Sequence, residues 1–322
     1  MVRSSVYGYL KYGIESAFQT EQSSKTRVFG LEQKISGLQF MVNRINLGQL
    51  YSPEIQSFAF GRNEGKMSVE YVLSNPWWLD LIFESGAKTG SSPYVWTWDS
   101  SPSANSSVRN INTASIDIGF QGEQSSGVNL TRTPLGVALS QVSIKTSINE
   151  VVRCTADAIW GKENTIGTNT YTATPPTDDI NFPYTFVHGS IQTNEGAVVA
   201  QVQDVDLTLN TNAELLWGIG SANASSVVRK TLDMTGKFNC SWIDAQFWND
   251  VVNRAEVQNF TLTFDNGLTS TNKRAITFAG TGIGFADHNT NFPVPVDNVF
   301  QEMNFAIRNM KVTANNNSSA EP

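Results

Sequence analysis

Apolar and polar residues alternate along much of the chain. In the run GKMSVEYVLSNPW (65–77), Met67, Val69 and Tyr71 share one face of an extended segment; in GKFNCSWIDAQFW (236–248), Phe238, Cys240 and Trp242 do. Alternation with a period of two marks a strand with one buried face. Each run then reaches residues suited to start a helix, Ser74 or Asn75 in the first and Asp244 in the second. Pro76 stands at a first helical turn, where its missing N–H is tolerated. Short helices are therefore expected near 75–85 and 244–255, with Trp77 and Trp248 at matching positions.

Further pairs follow in the same order. FMVN (40–43) resembles LTLN (207–210), WTWD (96–99) matches LTFD (262–265), and Ile118-Gly119-Phe120 matches Ile283-Gly284-Phe285, all at separations between 165 and 171 residues. Ordered matches at a near-constant offset point to a duplicated domain. Each copy reads as strand, long loop, strand, helix, strand, turn, strand, loop, strand, ending in SQVSIKTSI or MNFAIRNMKVTA. The expected fold class is mainly β, with two tandem barrel or sandwich domains and one short α-helix packed on each. Trp77, Trp248, Phe120 and Phe285 are expected in the repeated core. The expected divisions are an N-terminal arm (1–27), a first β-domain (28–160), a Thr- and Pro-rich linker (161–183), a second β-domain (184–314) and a disordered tail (315–322).

Composition narrows the function. Of 322 residues only 16% are charged, and Ser, Thr, Asn and Gly fill the difference, as suits sheets joined by many turns. The net charge of −7, with no basic run longer than a dipeptide, argues against specific grip on nucleic acid. Such an acidic surface can still let DNA pass without sticking. Cys154 and Cys240 lie in strand-like runs and are expected as reduced, buried thiols. MVRSSVYGYLKYG lacks the apolar stretch of a signal peptide, and no run approaches the roughly 18 apolar residues that span a bilayer. The expectation is a soluble protein of a reducing host cytoplasm, without a membrane partner.

Motifs for chemistry are sparse. His188 and His288 sit apart in polar stretches, and no Cys or His pair has metal-ligand spacing, so neither a metal nor a cofactor is expected. The glycine run 280–284 lacks the Lys-Ser/Thr end of a phosphate loop and reads as a bulged strand. Asp99 and Asp265 recur after aromatic strands, but a glycosidase pair divided between two domains is less economical than two turn residues capping their own backbone. No catalytic residue is assigned, and the chain is read as a non-enzyme.

Two segments resemble a known family. YGYLKYGIESAFQT near the N-terminus is similar to the opening of viral tail tube proteins, the major tail proteins of tailed bacterial or archaeal viruses. So is QDVDLTLNTNAELLWGIGSANASSVVRKTLDMTGKFN (203–239). The resemblance implies tail-tube-like barrels packed side by side into rings, the rings stacked into a tube, and DNA conducted through the lumen without a catalytic residue. Duplication then implies three chains per ring, a homotrimer of pseudo-hexameric symmetry, with other tail proteins at the tube ends. The candidate stacking loops are 48–63, carrying Tyr51, Ile55, Phe58 and Phe60, and 212–230, carrying Leu216, Trp217 and Ile219. Apolar loop residues of this kind mark a partner surface. The alternatives are a tail completion or baseplate hub protein with the same duplicated barrel, and a carbohydrate-binding β-protein.

Overall fold

The structure is a computed structural model, and it describes residues 8–48, 55–83, 86–91, 94–100, 112–120, 130–164, 167–168, 183–193, 202–241, 249, 252–253, 256–269, 273–291 and 300–316. Strands dominate it. The first half contributes β1 (Gly8–Ile14), β2 (Leu31–Gly48), β3 (Ile55–Val72), β4 (Ala87–Thr89), β5 (Tyr94–Asp99), β6 (Ala114–Phe120), β7 (Leu130–Arg132), β8 (Pro134–Leu135), β9 (Ala138–Ser147), β10 (Arg153–Trp160), β11 (Lys162–Glu163) and β12 (Gly167–Thr168). The second contributes β13 (Gly189–Thr193), β14 (Val202–Asn210), β15 (Ala213–Leu216), β16 (Ser226–Arg229), β17 (Asp233–Ser241), β18 (Glu256–Asp265), β19 (Ala275–Asn291) and β20 (Phe300–Asn316).

One antiparallel sheet runs through both halves in the order β2-β3-β10-β9-β14-β17-β20-β19-β18-β13. The halves meet where β9 pairs with β14, Gln141 opposite Asn210 and Ser147 opposite Asp204. Alternation explains why these segments are strands. In β10, Cys154, Ala156, Ala158 and Trp160 are buried while Arg153, Thr155 and Asp157 face out; in β14, Val205, Leu207 and Leu209 are buried between half-buried polar neighbours. A second sheet, β1-β6-β7-β12, is tied to the first by the aromatic series Tyr12, Phe29, Tyr71 and Trp78, with successive ring centroids 4.8, 5.6 and 6.2 Å apart. In the second half the long sheet curls on itself, for Phe260 of β18 packs on Phe238 of β17 at 6.4 Å and on Phe305 of β20 at 4.8 Å.

Several features differ from the sequence reading. The buried apolar residues form one continuous cluster from Leu10 to Ala314 with members from both halves, and β5 of the first half pairs with β20 of the second. The halves therefore interlock. Of the arm expected at 1–27, the described part builds β1, and Leu10 and Tyr12 of that strand are core residues. Of the linker expected at 161–183, Lys162–Glu163 and Gly167–Thr168 pair with β8 and β7, and 169–182 lie outside the described residues. Likewise β20 continues to Asn316, into the expected tail.

The helix expected near 75–85 is a five-residue 3-10 turn, Trp77–Leu81, and not an α-helix. All five residues are buried, so no polar stripe exists to solvate a longer helix. Asp80 anchors the turn: its carboxylate accepts from the Arg27 guanidinium at 2.7 Å, the Trp98 indole N–H at 2.6 Å and the Gly86 amide at 3.0 Å. A buried carboxylate with this many donors is satisfied, and losing one partner would leave a costly charge. The helix expected at 244–255 falls mostly outside the described residues, as does Trp248.

Candidate assembly surfaces

The first surface is a hairpin. β2 and β3, 18 residues each, pair along their length, but only their proximal parts join the core. Beyond the Phe40–Gly65 pair, Met41, Val42, Ile45, Leu47, Ile55, Phe58 and Phe60 are all exposed, Phe60 at 71%. The segment 48–63, expected as a loop, is thus largely strand, because QSFAFGRN keeps the period of two. Ile55, Phe58 and Phe60 lie on it and are exposed; Tyr51 is outside the described residues. The apolar residues of β2 were missed in the sequence reading. Their signal was FMVNRINL, in which both strand parities carry apolar side chains.

The segment 212–230 behaves differently. It forms the small hairpin β15–β16, and its turn lies against the root of the long one. The Asn63 amide donates to the Ala222 carbonyl at 2.8 Å, the Asn63 side-chain amide donates to Asn223 Oδ1 at 2.8 Å, and the Trp217 indole N–H donates to the Asn63 carbonyl at 3.3 Å. The Arg62 guanidinium stacks 4.5 Å above the Trp217 ring. Trp217 therefore faces inward. Leu216 is 41% exposed and Ile219 wholly so, between Gly218 and Gly220. The structure brings the two candidate loops together through Arg62, Asn63 and Trp217.

The residues expected in a repeated core divide similarly. Trp77 is buried, edge-on to Trp96 at 5.1 Å. Phe285 is partly buried and packs on Phe305 at 6.4 Å. Phe120 stands in β6 opposite Gly8, in the second sheet, whereas Phe285 is in the long one. The two Ile-Gly-Phe segments are thus not in equivalent places.

The second surface is the polar face of the long sheet. Between β2 and β20 it carries the carboxylates of Glu32, Glu64, Glu70, Asp157, Asp204, Asp206, Asp233 and Glu302 against the cations of Lys34, Lys66, Lys145, Arg153, Lys237 and Arg308. Cations lie beside carboxylates of adjacent strands: Lys145 with Asp206 at 2.9 Å, Arg153 with Glu70 at 3.4 Å and Lys237 with Glu302 at 3.7 Å. Exposed pairs of this kind add under about 1 kcal/mol to stability. Their larger effect is to balance charge, so that few cations remain to hold a phosphate.

The residues considered for chemistry have structural roles. Asp265 Oδ1 accepts from the Gly267 amide at 2.9 Å in a turn, and Asp99 lies in β5 opposite Lys311. His188 Nδ1 accepts from the Thr185 amide at 3.0 Å. Gly282, at φ +69°, lies in β19 within the glycine run, and the register of that strand shifts further on, between Phe285 and Asp287. Cys154 and Cys240 are buried, and burial pushes the Cys154 thiol up. No group of three or more His, Cys, Asp or Glu residues suited to hold a metal exists among the described residues, and no helix among them is long and apolar enough to cross a membrane.

A mainly β subunit that offers a long apolar hairpin and a polar sheet face has the surfaces of a structural assembly protein. The phage tail tube protein family model matches residues 10–254, most of the chain. The chain belongs to that family and is a structural subunit of a phage tail tube. A search of the curated proteins finds no match. Membership implies the virion tail as its place and points to a non-enzymatic role.

Proposed function

We propose that three copies close into a ring of pseudo-sixfold symmetry, that rings stack into the tube, and that the polar sheet face lines a bore through which viral DNA is ejected. The observation that carries this reading is the strand order. β2-β3-β10-β9 and β14-β17-β20-β19 are four-strand arrays of the same internal order, joined edge to edge by β9 and β14. Their registers agree as well. Phe40, Gly65 and Trp160 lie across β2, β3 and β10 as Leu207, Gly236 and Phe305 lie across β14, β17 and β20. This supports a duplication of units 28–160 and 184–314, with β10 and not β9 as the counterpart of β20.

The same logic supplies the contact between chains. The outer edge of β2 corresponds to the edge of β14 that meets β9. At the other end of the array, β18 covers Ala275–Gly284 of β19, whereas Asp287–Asn291 pairs only with β20 among the described residues. An open strand edge is a template for another strand. In the proposed ring the Asp287–Asn291 edge of one copy adds to β2 of the next, head to tail, and the rotation closes at three. Three eight-strand arrays give a 24-strand barrel about 37 Å across for untilted strands and roughly 48 Å at a 40° tilt, wide enough for a DNA duplex. The carboxylate-rich face turned inward keeps the phosphate backbone from sticking. The exposed apolar hairpin meets the next ring, and other tail proteins take its place at the tube ends.

Native mass spectrometry and negative-stain electron microscopy of the purified chain test this. Three chains per ring, with tubes growing from the rings, is the expected result. Six chains per ring would overturn the stoichiometry while leaving the tube intact; single rings that never stack would favour the hub reading.

A further inference from the structure

The two halves treat the connection between their first two strands differently. In the first half it grows into the projecting hairpin β2–β3; in the second it folds down as β15–β16 and grips that hairpin at its root. The grip falls at one place. Val42 pairs with Asn63 and Arg44 with Phe60, so β3 has one extra residue there and the ladder is broken. A bulge of this kind bends a strand and leaves backbone groups unpaired. Asn63 gives its amide, its carbonyl and its side chain to the turn, through Ala222, Trp217 and Asn223. The turn is itself seated on the first half. The Ala224 amide reaches the Gly161 carbonyl at 3.4 Å, and a side chain at Gly161 would lie 2.3 Å from the Ala224 methyl.

We propose that residues 217–224 are a latch that fixes the angle at which the β2–β3 hairpin leaves the body, and that Asn63 and Trp217 are positioning residues for ring stacking. The partner is a second copy of this chain in the adjacent ring, as the proposed tube requires, and the stacking part of the inference rests on that reading. The latch makes the two halves unequal: each chain presents one projecting hairpin, three per ring. Trp217 acts within the chain, and the apolar side chains of the hairpin act between chains.

Two variants approach the latch from opposite sides. Trp217→Phe keeps the ring beneath Arg62 but removes the indole donor, and Gly161→Val unseats the turn without touching the hairpin. Hydrogen exchange on the unassembled chain reads hairpin mobility directly; electron microscopy reads tube length. In both variants amides of 40–48 and 55–63 are expected to exchange about tenfold faster, with the urea midpoint nearly unchanged and tubes replaced by rings or short stacks. Unchanged hairpin exchange in both variants overturns the latch, whatever the tubes do. Faster exchange with tubes of normal length overturns the positioning role. Failure of the unaltered chain to form tubes sinks the stacking reading and that role with it, while the exchange result still decides the latch.

Discussion

Replacing Gly65 by alanine puts a methyl group where an indole already sits. A Cβ built there lies 2.0 Å from Trp160 Cε2 and 2.2 Å from its Nε1. Ordinary carbon contact needs about 3.5–4.0 Å, so the ring or the strand must move by roughly 1.5 Å. Trp160 is fully buried and its neighbours leave little room to move. Overpacking of this sort costs about 1–3 kcal/mol, less the roughly 0.4–1 kcal/mol that alanine recovers by restricting the unfolded chain. We predict a net loss of about 1–2 kcal/mol for Gly65→Ala. At Gly236 the clash is milder, 2.5 Å from Phe305 Cζ, and a smaller loss is expected. Gly284→Ala, with nothing among the described residues within 4 Å of its Cβ, should be near neutral. Urea unfolding followed by tryptophan fluorescence measures all three. The Trp160 indole N–H has no hydrogen-bond partner among the described residues, so Trp160→Phe loses volume without a polar penalty and opens space for the methyl group. In that background Gly65→Ala should be milder by about 1 kcal/mol. Strict additivity, or an unperturbed Gly65→Ala, would refute the claim that the glycine exists to seat the ring.

Two further predictions are simpler. Replacing Phe58 and Phe60 together by serine should leave the urea midpoint unchanged, since both rings are exposed, yet abolish long tubes in micrographs, because each ring buried between chains contributes on the order of 1–3 kcal/mol. Glu15 is buried, and desolvation raises its pKa although Gly136, Thr113 and Gln19 donate to it. An acid with a raised folded pKa binds its proton more tightly when folded. Its contribution is therefore most favourable below the unfolded value of about 4.3 and declines as pH rises through the folded value. The stability difference between the unaltered chain and Glu15→Gln should fall with rising pH across that window; a flat difference would remove Glu15 from the account.

The two Gly-Lys runs made the fold legible. Gly65 and Gly236 each lie beneath an aromatic of the next strand, and a fixed cross-strand constraint of this kind survives in sequence as a motif. Gly119 shows the same device beneath Tyr9, which is reason enough for its glycine and makes its match with Gly284 misleading. The strand β10 was readable as a strand but not as the partner of β3, because period two gives the buried face and says nothing about the neighbour. The apolar hairpin was readable in part. Phe58 and Phe60 stood out, but a strand pair apolar on both faces resembles core until its distance from the body is known. The latch was unreadable, since Asn63 and Trp217 are 154 residues apart and only the fold makes them neighbours.

In the proposed duplication, joining two units in one chain changes the thermodynamics of the proposed ring. A ring of six separate units needs five associations between molecules before it closes, each opposed by an estimated 4–15 kcal/mol of lost translational and rotational freedom. With the β9–β14 joint made inside the chain, only two such steps remain, and the other three proceed at the high effective concentration of a tether. Open edges per unit also fall by half, so fewer strands can pair wrongly before assembly. The tether has a second consequence. Once two units are obliged to be neighbours, their equivalent loops are free to diverge, one into a contact surface and the other into its support. In the proposed duplication Trp217 and Asn63 have that relation: the turn of the second half lies against the root of the first half's hairpin and holds it in place.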